Sequence, residues 1–82
     1  MPTVLRVKNL IYIIHTRDHG HPHVTVYLGT PESFEAMAKI RLDSVEAIES
    51  TGFDQRTLRR ILATVGYYQL QFLEVWNETR EK

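Results

Sequence analysis

The chain has 82 residues, its 10 Lys and Arg balance its 10 Asp and Glu, and it contains no cysteine. This length supports one small hydrophobic core. The lack of cysteine excludes disulfide staples, thiolate metal sites and cysteine nucleophiles, and no apolar run approaches the roughly 20 residues of a membrane-spanning helix. The opening Met1 to Lys8 has no charged region followed by a long apolar one, so no secretory leader is read and a cytoplasmic location is expected. Charge is mildly uneven: Arg6, Lys8, Arg17, Lys39 and Arg41 outweigh the acids of the first half, and acids outweigh bases in the second. A nucleic-acid surface would therefore have to come from local clustering.

The first half reads as strands. Val4 to Val7 is apolar and β-branched apart from Arg6, and Lys8-Asn9 offers a turn before the short apolar run Leu10 to Ile14. Thr16 to Pro22 is polar with Gly and Pro, a loop. His23 to Leu28 places Val24, Val26 and Leu28 on one parity and reads as a third strand. Gly29 to Glu32 is a turn, and Met37 to Leu42 alternates as a half-buried fourth strand.

The second half reads as helices. Asp43 followed by Glu46 resembles a capping box, Val45 and Ile48 begin a short helix, and Gly52 stands where a C′ glycine would end it. Asp54 caps a second, long helix over residues 54–77, with Leu58, Ile61, Leu62, Val65, Phe72, Leu73 and Trp76 on one stripe. The expected fold class is α+β: a small four-stranded, mainly antiparallel sheet in the order ββββαα, with the long C-terminal helix packed on one face of a single domain. The expected inward set is Leu5, Val7, Ile11, Ile13, Val24, Val26, Ile40 and Leu42.

Alternation then predicts the other face of the sheet. Arg6, Lys8, Tyr12, His23, Thr25, Tyr27, Lys39 and Arg41 would point away from the helix. Cations hold phosphates and aromatic rings stack on unpaired bases, so Arg6, Lys8, Tyr12, Tyr27, Lys39 and Arg41 are the candidate RNA contacts. The alternative is a solvated face on which Lys and Arg stems cover apolar surface. Arg56, Arg59 and Arg60 form a second basic group where the helix dipole disfavours positive charge.

All four histidines, His15, His19, His21 and His23, fall within nine positions. Three readings are open: hydrogen-bonding histidines of a polar loop, metal ligands, or proton-transfer groups. The spacing matches no metal template and no structural metal or other cofactor is expected. His23 and His19 are the candidate catalytic residues, acting as general acid or base beside cationic phosphate contacts.

Several stretches resemble a small bacterial family, domain of unknown function 4160 (DUF4160). They are Met1 to Arg6, His19-Gly20-x-Pro22-His23-Val24, Ala38 to Asp43, Gly52-Phe53 and Glu74 to Glu78. The resemblance spans essentially the whole chain and implies a compact α+β domain without assigned chemistry, in gene pairs that look like toxin–antitoxin modules. Two departures stand out. Thr25 occupies the place of a second strand histidine, with an extra one at His21, and the segment Thr30 to Glu35 is longer. The expected function is binding of RNA or of a cognate small protein, as one half of such a pair. The alternatives are a histidine-dependent ribonuclease-type toxin and a purely structural interaction domain.

Overall fold

The computed structural model describes residues 3–15 and 20–80, without the side chains of Thr3, Val4 and Arg80. Five strands come first: β1 (Thr3–Val7), β2 (Leu10–Ile13), β3 (His23–Thr30), β4 (Ser33–Arg41) and β5 (Glu46–Thr51). Two helices follow, α1 (Gln55–Tyr67) and α2 (Gln69–Arg80). The strands form one antiparallel meander in chain order, so every connection within the sheet is a local turn. The α+β class and the antiparallel sheet match the sequence expectation; the strand count and the single long helix do not.

The fifth strand replaces the short helix expected after Asp43. Residues 42–45 form the turn, and Val45 completes it in the left-handed region at φ 55°. Asp43 is spent on Arg41 rather than on a helix N-terminus. Beyond the turn, Glu46 falls opposite Arg41 and Glu49 opposite Lys39. A cross-strand ion pair, Lys39 Nζ to Glu49 Oε1 at 3.7 Å, joins the second couple. A six-residue helix with two apolar side chains has little to bury, whereas the open edge of β4 supplies backbone partners at once. Gly52 is therefore no helix terminator. It links β5 to α1 at φ 88°, where a Cβ would sit 2.8 Å from the Glu35 carbonyl oxygen and 2.9 Å from Ala36 Cβ.

The helix over 54–77 is broken at Tyr68 (φ −102°, ψ 18°). Hydrogen bonds four residues apart persist on both sides, from Tyr68 N–H to the Thr64 carbonyl and from Phe72 N–H to the Tyr68 carbonyl, so the axis bends without losing its ladder. The bend is pinned by Gln69, whose side-chain amide donates to the Leu42 carbonyl at 2.7 Å. It lets α2 lay Phe72 on Tyr12 and bring Trp76 beside His23. The N-terminal cap is as read from the sequence, with Asp54 Oδ1 accepting from Thr57 N–H at 2.8 Å.

The core lies between the helices and one sheet face. Val24, Val26, Ile40 and Leu42 meet Ile61, Val65, Phe72 and Trp76 there, as the alternation of β3 and β4 and the helix stripe predict. The parity of β2 is the reverse of that expected. Tyr12, paired with Val26, points into the core at 1% exposure, while Ile11 and Ile13, paired with Tyr27 and Thr25, lie on the opposite face. Both parities of Leu10 to Ile14 are apolar or aromatic, so alternation alone is a weak guide to orientation, and the register with β3 decides it the other way. The segment Thr30 to Glu35, longer than the family pattern, is mostly the extended β3–β4 hairpin.

Both edges of the sheet carry irregularities. The register of β1 on β2 shifts between Thr3 and Leu5. On β5 the partners of Lys39 and Ile40 are Glu49 and Ala47, leaving Ile48 as the extra residue of a bulge, 53% exposed. Bulged edges bearing charge resist pairing with another strand.

Candidate functional site

On the sheet face away from the helices, cross-strand pairing brings Arg6 beside Ile11, Tyr27 beside Met37, Thr25 beside Lys39 and His23 beside Arg41. Arg6, Tyr27, Lys39 and Arg41 thus share the face predicted for them, whereas the His23 ring, at the start of β3, packs against Trp76 of α2. Tyr12 is a core residue, as described above. Lys8 lies in the β1–β2 turn at φ 57°, off the sheet, where it borders a cleft on the helix side. His19 lies outside the described residues.

This face is less open and less cationic than its composition suggests. Tyr27 is only 8% exposed: its hydroxyl is 3.0 Å from His15 Nε2, and its ring packs against Phe34 at 5.2 Å between centroids. By register, the His15–Tyr27 bridge reaches across the Ile13–Thr25 pair, and both of those are buried. Thr25 Oγ1 is buried with no hydrogen-bond partner among the described residues. Lys39 is paired with Glu49. Arg41 is held by Asp43, Nε to Oδ1 at 2.5 Å and Nη2 to Oδ2 at 3.0 Å. That pairing keeps the Asp43 carboxyl below, and the Arg41 guanidinium above, its ordinary pKa.

The histidines divide between two settings. His23 is 8% exposed, with Nδ1 hydrogen-bonded to the His21 carbonyl at 3.0 Å and its ring 5.2 Å from the Trp76 ring. His21 is exposed, and its Nδ1 lies 3.2 Å from Arg41 Nη2. A guanidinium only donates, so His21 Nδ1 accepts, which places the ring hydrogen of the neutral imidazole on Nε2. Among the described residues no group of three or more His, Asp or Glu side chains could hold a metal ion.

The cations without an ion-pair partner among the described residues include Lys8, Arg56, Arg59 and Arg60, and these sit around α1. Lys8 and Arg60 border an open cleft of about 680 Å³ between the β1–β2 hairpin and α1. Its wall is mainly Val7, Leu10, Leu28, Phe53 and Ile61, with Thr57 and Thr64 supplying hydroxyls. The volume is in the range of roughly 300–1,000 Å³ usual for ligand pockets. At its base, burial pushes the Tyr12 phenol pKa up, partly offset by a hydrogen bond with Thr64. The Asp54 carboxyl is held below its ordinary pKa by the Thr57 amide and hydroxyl and then by the nearby charges of Arg56 and Arg60. On the other flank of α1, Arg59 borders a smaller hollow of about 210 Å³ with Leu58 and Leu62.

The three α1 arginines were visible in the sequence. The cleft was not, because Val7 and Leu28 read as inward core residues and Leu10 as facing away, whereas the structure leaves all three half-buried along the cleft beside α1.

The family model for the domain of unknown function DUF4160 matches residues 10–77, from the first residue of β2 into the last turn of α2. The chain belongs to the DUF4160 family. No curated protein and no solved structure matches it. Within DUF4160, then, this chain presents two chemically distinct surfaces: a sheet face on which Lys39 and Arg41 are paired with Glu49 and Asp43, and a cleft beside α1 bordered by Lys8 and Arg60, which have no ion pair among the described residues.

Proposed function

We propose that this DUF4160 chain is a non-catalytic binding module whose partner is a cognate small protein, in the manner of one half of a toxin–antitoxin-like pair. The observation that carries this is the distribution of charge. Lys39 and Arg41 are paired with Glu49 and Asp43, whereas Lys8 and Arg60 border an apolar cleft and Arg59 a smaller hollow on the other flank of α1. RNA binding through the sheet face needs rings open to bases, and Tyr12 and Tyr27 are both buried. Uncompensated arginine around apolar surface is the composition of protein–protein contacts. The experiment is photo-crosslinking in the native host from a photoreactive phenylalanine analogue at the exposed Gln55. A protein adduct of one defined mass, lost on Arg56→Glu plus Arg60→Glu, supports the proposal. An adduct with RNA, or a protein adduct indifferent to those charges, contradicts it.

A second reading, histidine-dependent RNA cleavage, is favoured by one arrangement. The exposed His21 imidazole is held against Arg41, which is itself fixed by Asp43. An imidazole beside a cation offers proton transfer and charge stabilisation at a phosphate. The burial of His23 shifts that role to His21. Controlled expression in a bacterial host with an RNA-integrity readout separates the two readings: the binding module leaves RNA intact, whereas cleavage abolished by His21→Ala would establish the second.

A further inference from the structure

The geometry points to the cleft between α1 and the β1–β2 turn as the receptor for an acidic amphipathic segment of the partner protein. One apolar side chain of that segment enters the cleft and flanking carboxylates meet Lys8 and Arg60. The inference rests on the protein-partner proposal and names the part of the partner that is recognised.

Three observations select this occupant. The first is charge: Lys8 and Arg60 stand at the cleft without ion pairs among the described residues, and the one acid in its lining, Asp54, caps α1 and lies within the influence of Arg56 and Arg60, which leaves Lys8 uncompensated there. Cations left uncompensated at the rim of a cleft favour an anionic partner and raise its association rate. The second is the wall. Val7, Leu10, Leu28 and Ile61 are aliphatic and Phe53 and Tyr12 aromatic, an apolar surface that takes an aliphatic or aromatic side chain. The third is the sheet. Both edges carry register shifts, so a partner strand added to the sheet is disfavoured and side-chain insertion is the mode left open. Arg59, with the half-buried Leu58 and Leu62, repeats the pattern of cation beside apolar hollow on the other flank of α1, so a segment crossing the helix finds the same chemistry twice.

Ala63 provides a variant that isolates the cleft. It lines the cleft, lies on the exposed side of α1 and carries no charge, so Ala63→Phe fills the space without altering the electrostatics. The test is selection from a displayed random-peptide library against the full chain, followed by titration of the recovered peptides. We expect peptides with Asp or Glu flanking one large apolar residue. Their affinity should fall at least about tenfold on Ala63→Phe, and by a similar factor on Lys8→Glu plus Arg60→Glu with a flatter salt dependence. Amide shifts on binding should centre on Leu10, Leu28 and Ile61. Circular dichroism melting of the free variants confirms that each is folded. Peptides without acidic residues, or binding unchanged by Ala63→Phe, overturn the inference. So does preferential binding of a single-stranded RNA oligonucleotide that Ala63→Phe abolishes. If the Gln55 crosslink captures a protein whose binding ignores Ala63→Phe, this inference fails while the protein-partner proposal stands.

Discussion

Tyr12→Ala tests the orientation of β2 and with it the position of the core. A tyrosine pointing to solvent, as simple alternation suggests, would be replaced at a cost within about 0.5 kcal/mol. In the structure Tyr12 is 1% exposed, stacks on Phe72 at 6.2 Å between centroids and has its hydroxyl beside Thr64. Truncating a fully buried aromatic residue costs roughly 3–5 kcal/mol. At about 4–8 °C of melting temperature per kcal/mol for a domain of this size, the fall is at least about 12 °C. That is a large share of the few to roughly 12 kcal/mol a chain of this length can hold. Tyr12→Phe keeps the ring and loses the hydroxyl, and the Thr64 hydroxyl still donates to the Arg60 carbonyl at 3.0 Å, so about 1 kcal/mol is expected. Urea titration followed by circular dichroism measures both, with the slope unchanged if the unfolded state is unaltered. A Tyr12→Ala protein as stable as the parent would refute the register of β2 on β3.

Gly52→Ala should destabilise by about 2–4 kcal/mol, because it combines a positive φ with a Cβ pressed on the Glu35 and Ala36 backbone; a neutral result in a thermal melt would refute that link geometry. Trp76→Ala should cost about 3–5 kcal/mol and expose the His23 ring, read as loss of near-ultraviolet dichroism and an earlier urea midpoint. Thr25→Val should raise stability by up to about 1 kcal/mol, since it replaces a buried hydroxyl with no partner among the described residues by a methyl of the same shape. For pH, the raised Tyr12 phenol makes the folded state hold its proton more tightly than the unfolded state. Its contribution is intact below the ordinary value of about 10 and is lost as pH rises through the higher folded value, so alkaline unfolding should begin above about pH 10 and ease in Tyr12→Phe.

Much of the fold was legible because period and chemistry agreed. In β3 and β4, small and β-branched residues alternate with polar ones, so Val24, Val26, Ile40 and Leu42 could be assigned to the core from parity. The stripe through Ile61, Val65, Phe72 and Trp76 survives the bend at Tyr68 because the helical ladder continues across it. The failures share a cause: tertiary partners decided where local pattern was neutral. Residues 46–51 have modest helical spacing, but the edge of β4 and the charges of Lys39 and Arg41 draw them into a strand. Leu10 to Ile14 is apolar on both parities, and only pairing with β3 turns Tyr12 inward.

The candidate site was half legible. Of the residues that the sequence placed on one outer face, Arg6, Lys39, Arg41 and Tyr27 share it, whereas Tyr12 is in the core, Lys8 is in the β1–β2 turn and the His23 ring packs on Trp76. The sequence could not show that Glu49 would come back to Lys39, because residues 46–51 carry helical spacing, nor that Asp43 would pair with Arg41 rather than cap a helix. Nor could it show that Arg60 would stand across a cleft from Lys8, a proximity created only when the β5–α1 link at Gly52 returns the chain over the open end of the core.

The central claim is that the partner is bound at α1 and not at the sheet face. Its most direct measurement is titration of the protein captured from Gln55 against three forms of the chain: the parent, Arg56→Glu with Arg60→Glu, and Lys39→Ala with Arg41→Ala. The account predicts that the α1 variant loses at least about tenfold in affinity, about 1.4 kcal/mol, and its salt dependence, while the sheet variant binds as the parent does. Loss of binding in the sheet variant, with the α1 variant unaffected, would contradict it.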